Sequence, residues 1–128
     1  MADFYGETEI PANTGVDEPV RYSILVDKGI IDSIYVFFPW GCAALCYVRV
    51  LRRNTPLAPH TREKFYHGND IFIQCQVNYE IKNEPYEVIV EGYNEDDTYS
   101  HSPVIYVEMH RPTISDQFKQ FTSLFQGD

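Results

Sequence analysis

Positive charge is scarce in this chain. Ten Lys and Arg face nineteen Asp and Glu, a net charge of -9 at pH 7 over 128 residues. A general nucleic-acid binder needs a basic face to displace counterions, so no nucleic-acid partner is expected. Long apolar runs are missing too: none approaches the roughly eighteen residues of a membrane span. The opening MADFYGETEI has neither the basic region nor the apolar stretch of a signal peptide. The expectation is synthesis and folding in the cytoplasm without a signal peptide, no membrane partner, and a final location in a virion or another assembly.

Cysteine is limited to Cys42, Cys46 and Cys75. An odd number without regular spacing fits reduced, buried thiols better than a disulfide framework. With His60, His67, His101 and His110 they form no CxxC and no HxxxH pattern. On one strand Cys42 and Cys46 would stand roughly 13 Å apart, too far for one tetrahedral zinc; in a turn that distance lapses, but no motif replaces it. Blue copper fails because Met109 adjoins only His110. The acidic run Asn94-Glu95-Asp96-Asp97 raises calcium, yet lacks EF-hand ligand spacing. There is no GxSxG, no phosphate-binding Gly-rich loop, and no serine in a nucleophile-elbow context. No catalytic residue, metal or cofactor is expected, and the chain is read as not an enzyme.

What the chain has is alternation. In Asp70–Ile81, residues Ile71, Ile73, Cys75, Val77, Tyr79 and Ile81 fall on one face and Phe72, Gln74, Gln76, Asn78 and Glu80 on the other. Period two over such a stretch predicts a half-buried antiparallel strand, since a helical period would scatter the same residues round an axis. The ten Tyr and eight Phe reinforce the β bias.

Further strands are predicted over Val20–Val26, Ile30–Phe38, Ala44–Arg53, Tyr86–Tyr93 and Val104–His110, with a short edge strand near Glu63–His67. Asp27-Lys28-Gly29 reads as a three-residue hairpin loop, Lys82-Asn83-Glu84-Pro85 as a turn, and Asn94–Ser102 as a hairpin tip. Pro39 and Pro112 end strands. The expected fold is all-β: an antiparallel β-sandwich, immunoglobulin-like or small jelly-roll, over residues 20–112. Residues 1–19 are expected as an extended acidic arm and 113–128 as a helical tail. In the tail Ile114, Phe118, Phe121 and Phe125 recur at helical spacing, giving a short amphipathic helix that must pack on its own sandwich or on a partner.

Three groups are candidate contact residues. The arm and tail offer Phe4, Tyr5, Ile10, Phe118, Phe121 and Phe125. A basic patch gathers Arg49, Arg52, Arg53, Arg62 and Lys64, with the acidic arm of a neighbouring copy as its complement. The loop aromatics are Trp40, Tyr93 and Tyr99. The leading expectation is a non-enzymatic structural protein that self-associates or docks on other structural subunits through its arm and tail, such as a capsid decoration or appendage protein. The competing reading is a carbohydrate- or ligand-binding module that uses the loop aromatics.

Overall fold

The computed structural model describes residues 2–112. Its strands are β1 (Ala2–Glu7), β2 (Val20–Leu25), β3 (Gly29–Phe38), β4 (Cys46–Arg52), β5 (Thr55–Ala58), β6 (Tyr66–His67), β7 (Ile71–Ile81), β8 (Glu87–Asn94) and β9 (Val104–His110). They form two antiparallel sheets. The first runs β1-β9-β3-β7 and the second β2-β8-β4-β5, with β6 also on β4. The all-β, two-layer expectation therefore holds. No helix of the described residues is long and apolar enough to cross a membrane, and the tail residues Ile114, Phe118, Phe121 and Phe125 lie outside the described range.

Each strand turns its apolar alternate residues into the space between the layers, as period two dictates. β3 contributes Ile31, Ile34, Val36 and Phe38; β4 contributes Cys46, Val48 and Val50; β8 contributes Val88 and Val90; β9 contributes Ile105 and Val107. All are fully or almost fully buried. Ile31 and Ile34 both point inward, although they are three residues apart, because the register of β3 shifts between Ile31 and Ser33 against both neighbours.

Topology departs from the sequence reading at the connections. The segments around Asp27–Gly29 and Asn94–Ser102 are not hairpins, for each leads from one sheet to the other, and the turn at Lys82–Pro85 crosses between the sheets as well. Pairing instead nests: β1 with β9, β2 with β8, β3 with β7, and β4 with β5. The chain behaves as a long two-stranded ribbon doubled back at the β4–β5 turn and then rolled. A hairpin at 27–29 would have laid β2 beside β3; instead Val26 N–H donates to Tyr86 O. Gly29, at φ +155°, sits where an added Cβ would come within 2.7 Å of the His110 carbonyl oxygen.

The N-terminal segment also differs from an arm. Residues 2–7 are an edge strand of this chain's own first sheet, paired with β9 from Glu7↔Val104 to Ala2↔Met109. Ile10 is 2% exposed and exchanges backbone hydrogen bonds with His101. A side chain at Gly92 would collide with its Cδ1. The cause is burial: Phe4 packs against the core and Ile10 enters it, so leaving this segment in water would expose both the apolar side chains and the free edge of β9. Ile10→Ala is expected to lower the unfolding free energy by about 2–5 kcal/mol, measured by urea denaturation. Tyr5→Ala, at an exposed position, is expected to cost about 1 kcal/mol or less. Equal small effects would mean that residues 8–19 stand outside the cooperative fold.

Candidate functional site

The outer face of the first sheet carries an aromatic band. Tyr5 pairs in register with Tyr106, Tyr106 with Tyr35, and Phe37 with Phe72. The Tyr5 and Tyr106 rings stack at 5.7 Å, while Phe72 lies 5.4 Å from Tyr35 and 6.4 Å from Phe37. Such cross-strand pairs stabilise a sheet, but these rings remain open to solvent: Tyr5 is 64%, Phe72 58% and Tyr106 45% exposed. Asp3, Tyr35, Phe72, Tyr106 and Glu108 help to line a shallow depression of about 220 Å³ in this face. The four strands contain no Lys or Arg, so the charges beside the rings, Asp3 and Glu108, are acidic. Lower on the same sheet, the β3 irregularity brings Asp32 to His110, with Nδ1 2.7 Å from Oδ1.

The second sheet presents the opposite character. Arg49 donates through Nε to Glu91 Oε1 at 2.7 Å, and Arg21 Nε lies 3.2 Å from Glu91 Oε2. Phe65, from the segment after β5, sits under the Arg49 guanidinium at 4.8 Å. Tyr93 stacks on Tyr47 at 4.5 Å with an interplanar angle of 3°, and Tyr47 also stacks on His67. The Tyr47 phenol is held above its usual range, first by a hydrogen bond with Glu95. Residues 54–67 thus cover part of this face, which accounts for the apolar outward residues of β4.

The sequence-predicted site residues are spread over several places. Of the arm residues, only Tyr5 is on the aromatic band; Phe4 and Ile10 point inward. The basic patch divides. Arg52 is buried and donates to Asn83 O, Arg53 donates to Glu84 O, and Arg49 is tied to Glu91. Arg62 and Lys64 are exposed. The loop aromatics do not come together: Tyr93 is in the Tyr47 stack, while Trp40, 82% exposed, and Tyr99, 67% exposed, touch no other ring among the described residues. Sequence reasoning missed Tyr35, Tyr106, Phe72 and Arg21. The available signal was that Phe72 shares its face with polar residues, as a surface aromatic does.

Cysteine chemistry is limited by the surroundings. Burial, with Cys42 nearby, pushes the Cys46 thiol up to about 12, and burial also raises Cys42. Cys75 Sγ lies 3.7 Å from His60 Nε2, a neighbour not visible in the sequence. That nitrogen is 3.0 Å from Gln76 O. A carbonyl accepts only, so Nε2 carries the proton and cannot take one from the thiol. In that tautomer the ring is tied to the β7 backbone, and the Cys75 thiol faces Leu57 O at 3.7 Å.

The acidic run at 94–97 has a structural use. Buried Asn94 donates to Ile10 O and Tyr99 O and accepts from Asp96 N. Asp96 accepts from Thr98 N and Tyr99 N and lies 2.9 Å from His101 Nε2. These bonds, that from Thr98 first and the one with His101 next, hold the Asp96 carboxyl below its usual range. A depressed carboxyl contributes stability above its unfolded-chain value of about 3.9, and this is lost as pH falls through the folded value. Asp96→Asn is therefore expected to be less stable than the parent at pH 7. The gap should close as the solution is acidified below about pH 3.9. Urea midpoints across pH measure it, and a gap that widens in acid contradicts the assignment.

No family model and no curated protein matches the chain. The crystal structure of PirA is similar at 14% identity, covering 84% of this chain and 96% of that one, with a TM-score of 0.41.

Proposed function

We propose that this chain is a non-enzymatic assembly subunit of small jelly-roll type, docking head to tail on further copies of itself. The nested pairing and the strand orders β1-β9-β3-β7 and β2-β8-β4-β5 favour a jelly roll over the immunoglobulin arrangement. Jelly rolls recur in capsid and lectin domains, so an appendage or decoration role in a virion is consistent by analogy of fold alone.

The observation that carries the reading is the exposed aromatic band flanked by Asp3 and Glu108 on a sheet whose strands contain no Lys or Arg. Two such faces meeting each other would oppose like charges. The outer side of the second sheet is complementary, since Arg53, Arg62 and Lys64 stand exposed beside it. Contact between unlike faces is heterologous, and repetition gives a ring or a filament. The acidic strand residue Asp3 then meets a neighbour's basic segment, while the band supplies large apolar area at low entropic cost. Phe118, Phe121 and Phe125 are proposed as a second contact with the neighbour.

Sedimentation velocity on the full chain over a range of concentrations tests this. The net charge of -9 opposes association at low salt, so the measurement belongs near physiological ionic strength, where screening acts over about 8 Å. Mass is expected to rise with concentration. Phe72→Asp with Tyr106→Ala should weaken association by about thirtyfold or more, while the lost cross-strand pairs cost the fold only about 1–2 kcal/mol and leave a cooperative melting transition. Asp3→Lys with Glu108→Lys should act likewise, and mixing that variant with one carrying Arg53→Glu and Lys64→Glu should restore association. A parent that stays monomeric throughout, or variants that assemble as the parent does, would overturn the reading.

A further inference from the structure

A second concavity, about 420 Å³, lies on the outer side of the second sheet, lined by Arg21, Arg49, Leu51, Asn54, Pro56, Arg62, Glu63 and Glu91. Its volume is in the range of small-molecule sites. Three guanidinium groups meet two carboxylates there, leaving an excess of positive charge in a protein that is otherwise acidic.

The groups are unequally committed. Both oxygens of Glu91, whose side chain is only 8% exposed, are occupied: Oε1 by Arg49 Nε and Nη2 at 2.7 and 2.6 Å, and Oε2 by Arg21 Nε at 3.2 Å. Arg49 is spent on this contact and on the Phe65 ring. Arg21 is different. It uses only Nε, its side chain is 55% exposed, and its two terminal nitrogens bond nothing among the described residues. The Arg62 side chain likewise has no partner among them. Glu91 therefore orients Arg21 from behind, leaving the face of the guanidinium that matches a planar carboxylate.

Glu63 narrows the ligand class. A bare anion would meet its repulsion, whereas a ligand that also carries hydroxyls can donate to Glu63 and use the Asn54 amide as donor or acceptor. Leu51 and Pro56 supply an apolar wall for a ring.

We propose that this cavity binds a sugar acid, with the carboxylate held by Arg21 and Arg62 and the hydroxyls by Glu63 and Asn54. The binding is reversible and needs no cofactor. It is a property of the single chain and does not rest on the assembly reading.

Isothermal titration of the full-length chain, with glucuronate, glucose and acetate as probes, tests it. Dilute protein is used, with mass measured by sedimentation in the same samples. Glucuronate should bind saturably, with glucose and acetate each weaker by about tenfold or more, since each lacks one half of the recognition. Arg62→Ala and Arg21→Lys should each weaken glucuronate by about tenfold or more at an unchanged melting temperature. The lysine variant keeps the charge and removes the fork, so it separates carboxylate recognition from simple attraction. Acetate binding as tightly as glucuronate, an absence of saturation, or binding unaffected by both variants would overturn the proposal. Failure of glucuronate to bind the dilute monomer, with the chain still assembling at higher concentration, would dispose of this site alone.

Discussion

Each strand can bury only one of its two faces in the space between the layers, and the rest of this structure follows from that limit. The inner faces of β3, β4, β8 and β9 meet there and exclude water from Phe38, Ile34, Val48, Val90 and Ile105. Burial of this kind is the main driving force for folding. It leaves two outer faces to be accounted for, and the protein treats them differently.

Over the second sheet, residues 54–67 fold back. Phe65 reaches the Arg49 guanidinium and the Tyr93 ring, and β6 adds Tyr66 and His67 to the free side of β4. Removing Glu91 from water is costly, and its two arginines offset that cost; such clusters hold geometry more than they add stability. The first sheet has no comparable cover among the described residues, and its rings pack only on one another. One face is thus partly enclosed, with its rings covered and arginines in excess over carboxylates in its concavity, and the other is open, its rings exposed beside acidic groups. This asymmetry is what both functional proposals draw on.

The ends of the sandwich depend on polar groups. Asn94 and Asp96 gather the backbone of Ile10, Thr98 and Tyr99, and Arg52 reaches Asn83 O across the opposite connection. Buried polar groups need such partners. An acidic loop that invites a metal reading is thereby accounted for by its own backbone, and no cluster of metal-ligating side chains occurs among the described residues.

Much of the strand content was legible, because period two is written locally: β7 at Ile71–Ile81 and β9 at Val104–His110 stand almost where alternation puts them. The inward placement of Cys46, Val48, Val50 and Cys75 was legible for the same reason. The candidate sites were much less so. Nothing in the spacing joins Arg21 to Arg49 and Glu91, or Tyr5 to Tyr106 and Tyr35, since those partners are set by which strands pair. Alternation along one strand says which side chains share a face but carries no information about the strand beside it. The amino-acid sequence alone determined β strands, their inner faces and the acidic bias. Only the tertiary structure decided that the N-terminus closes against β9, that connections cross between layers, and that Tyr5, Tyr35 and Tyr106 gather on one outer face while Arg21, Arg49 and Glu91 gather on the other, because those outcomes depend on contacts between residues far apart in the chain.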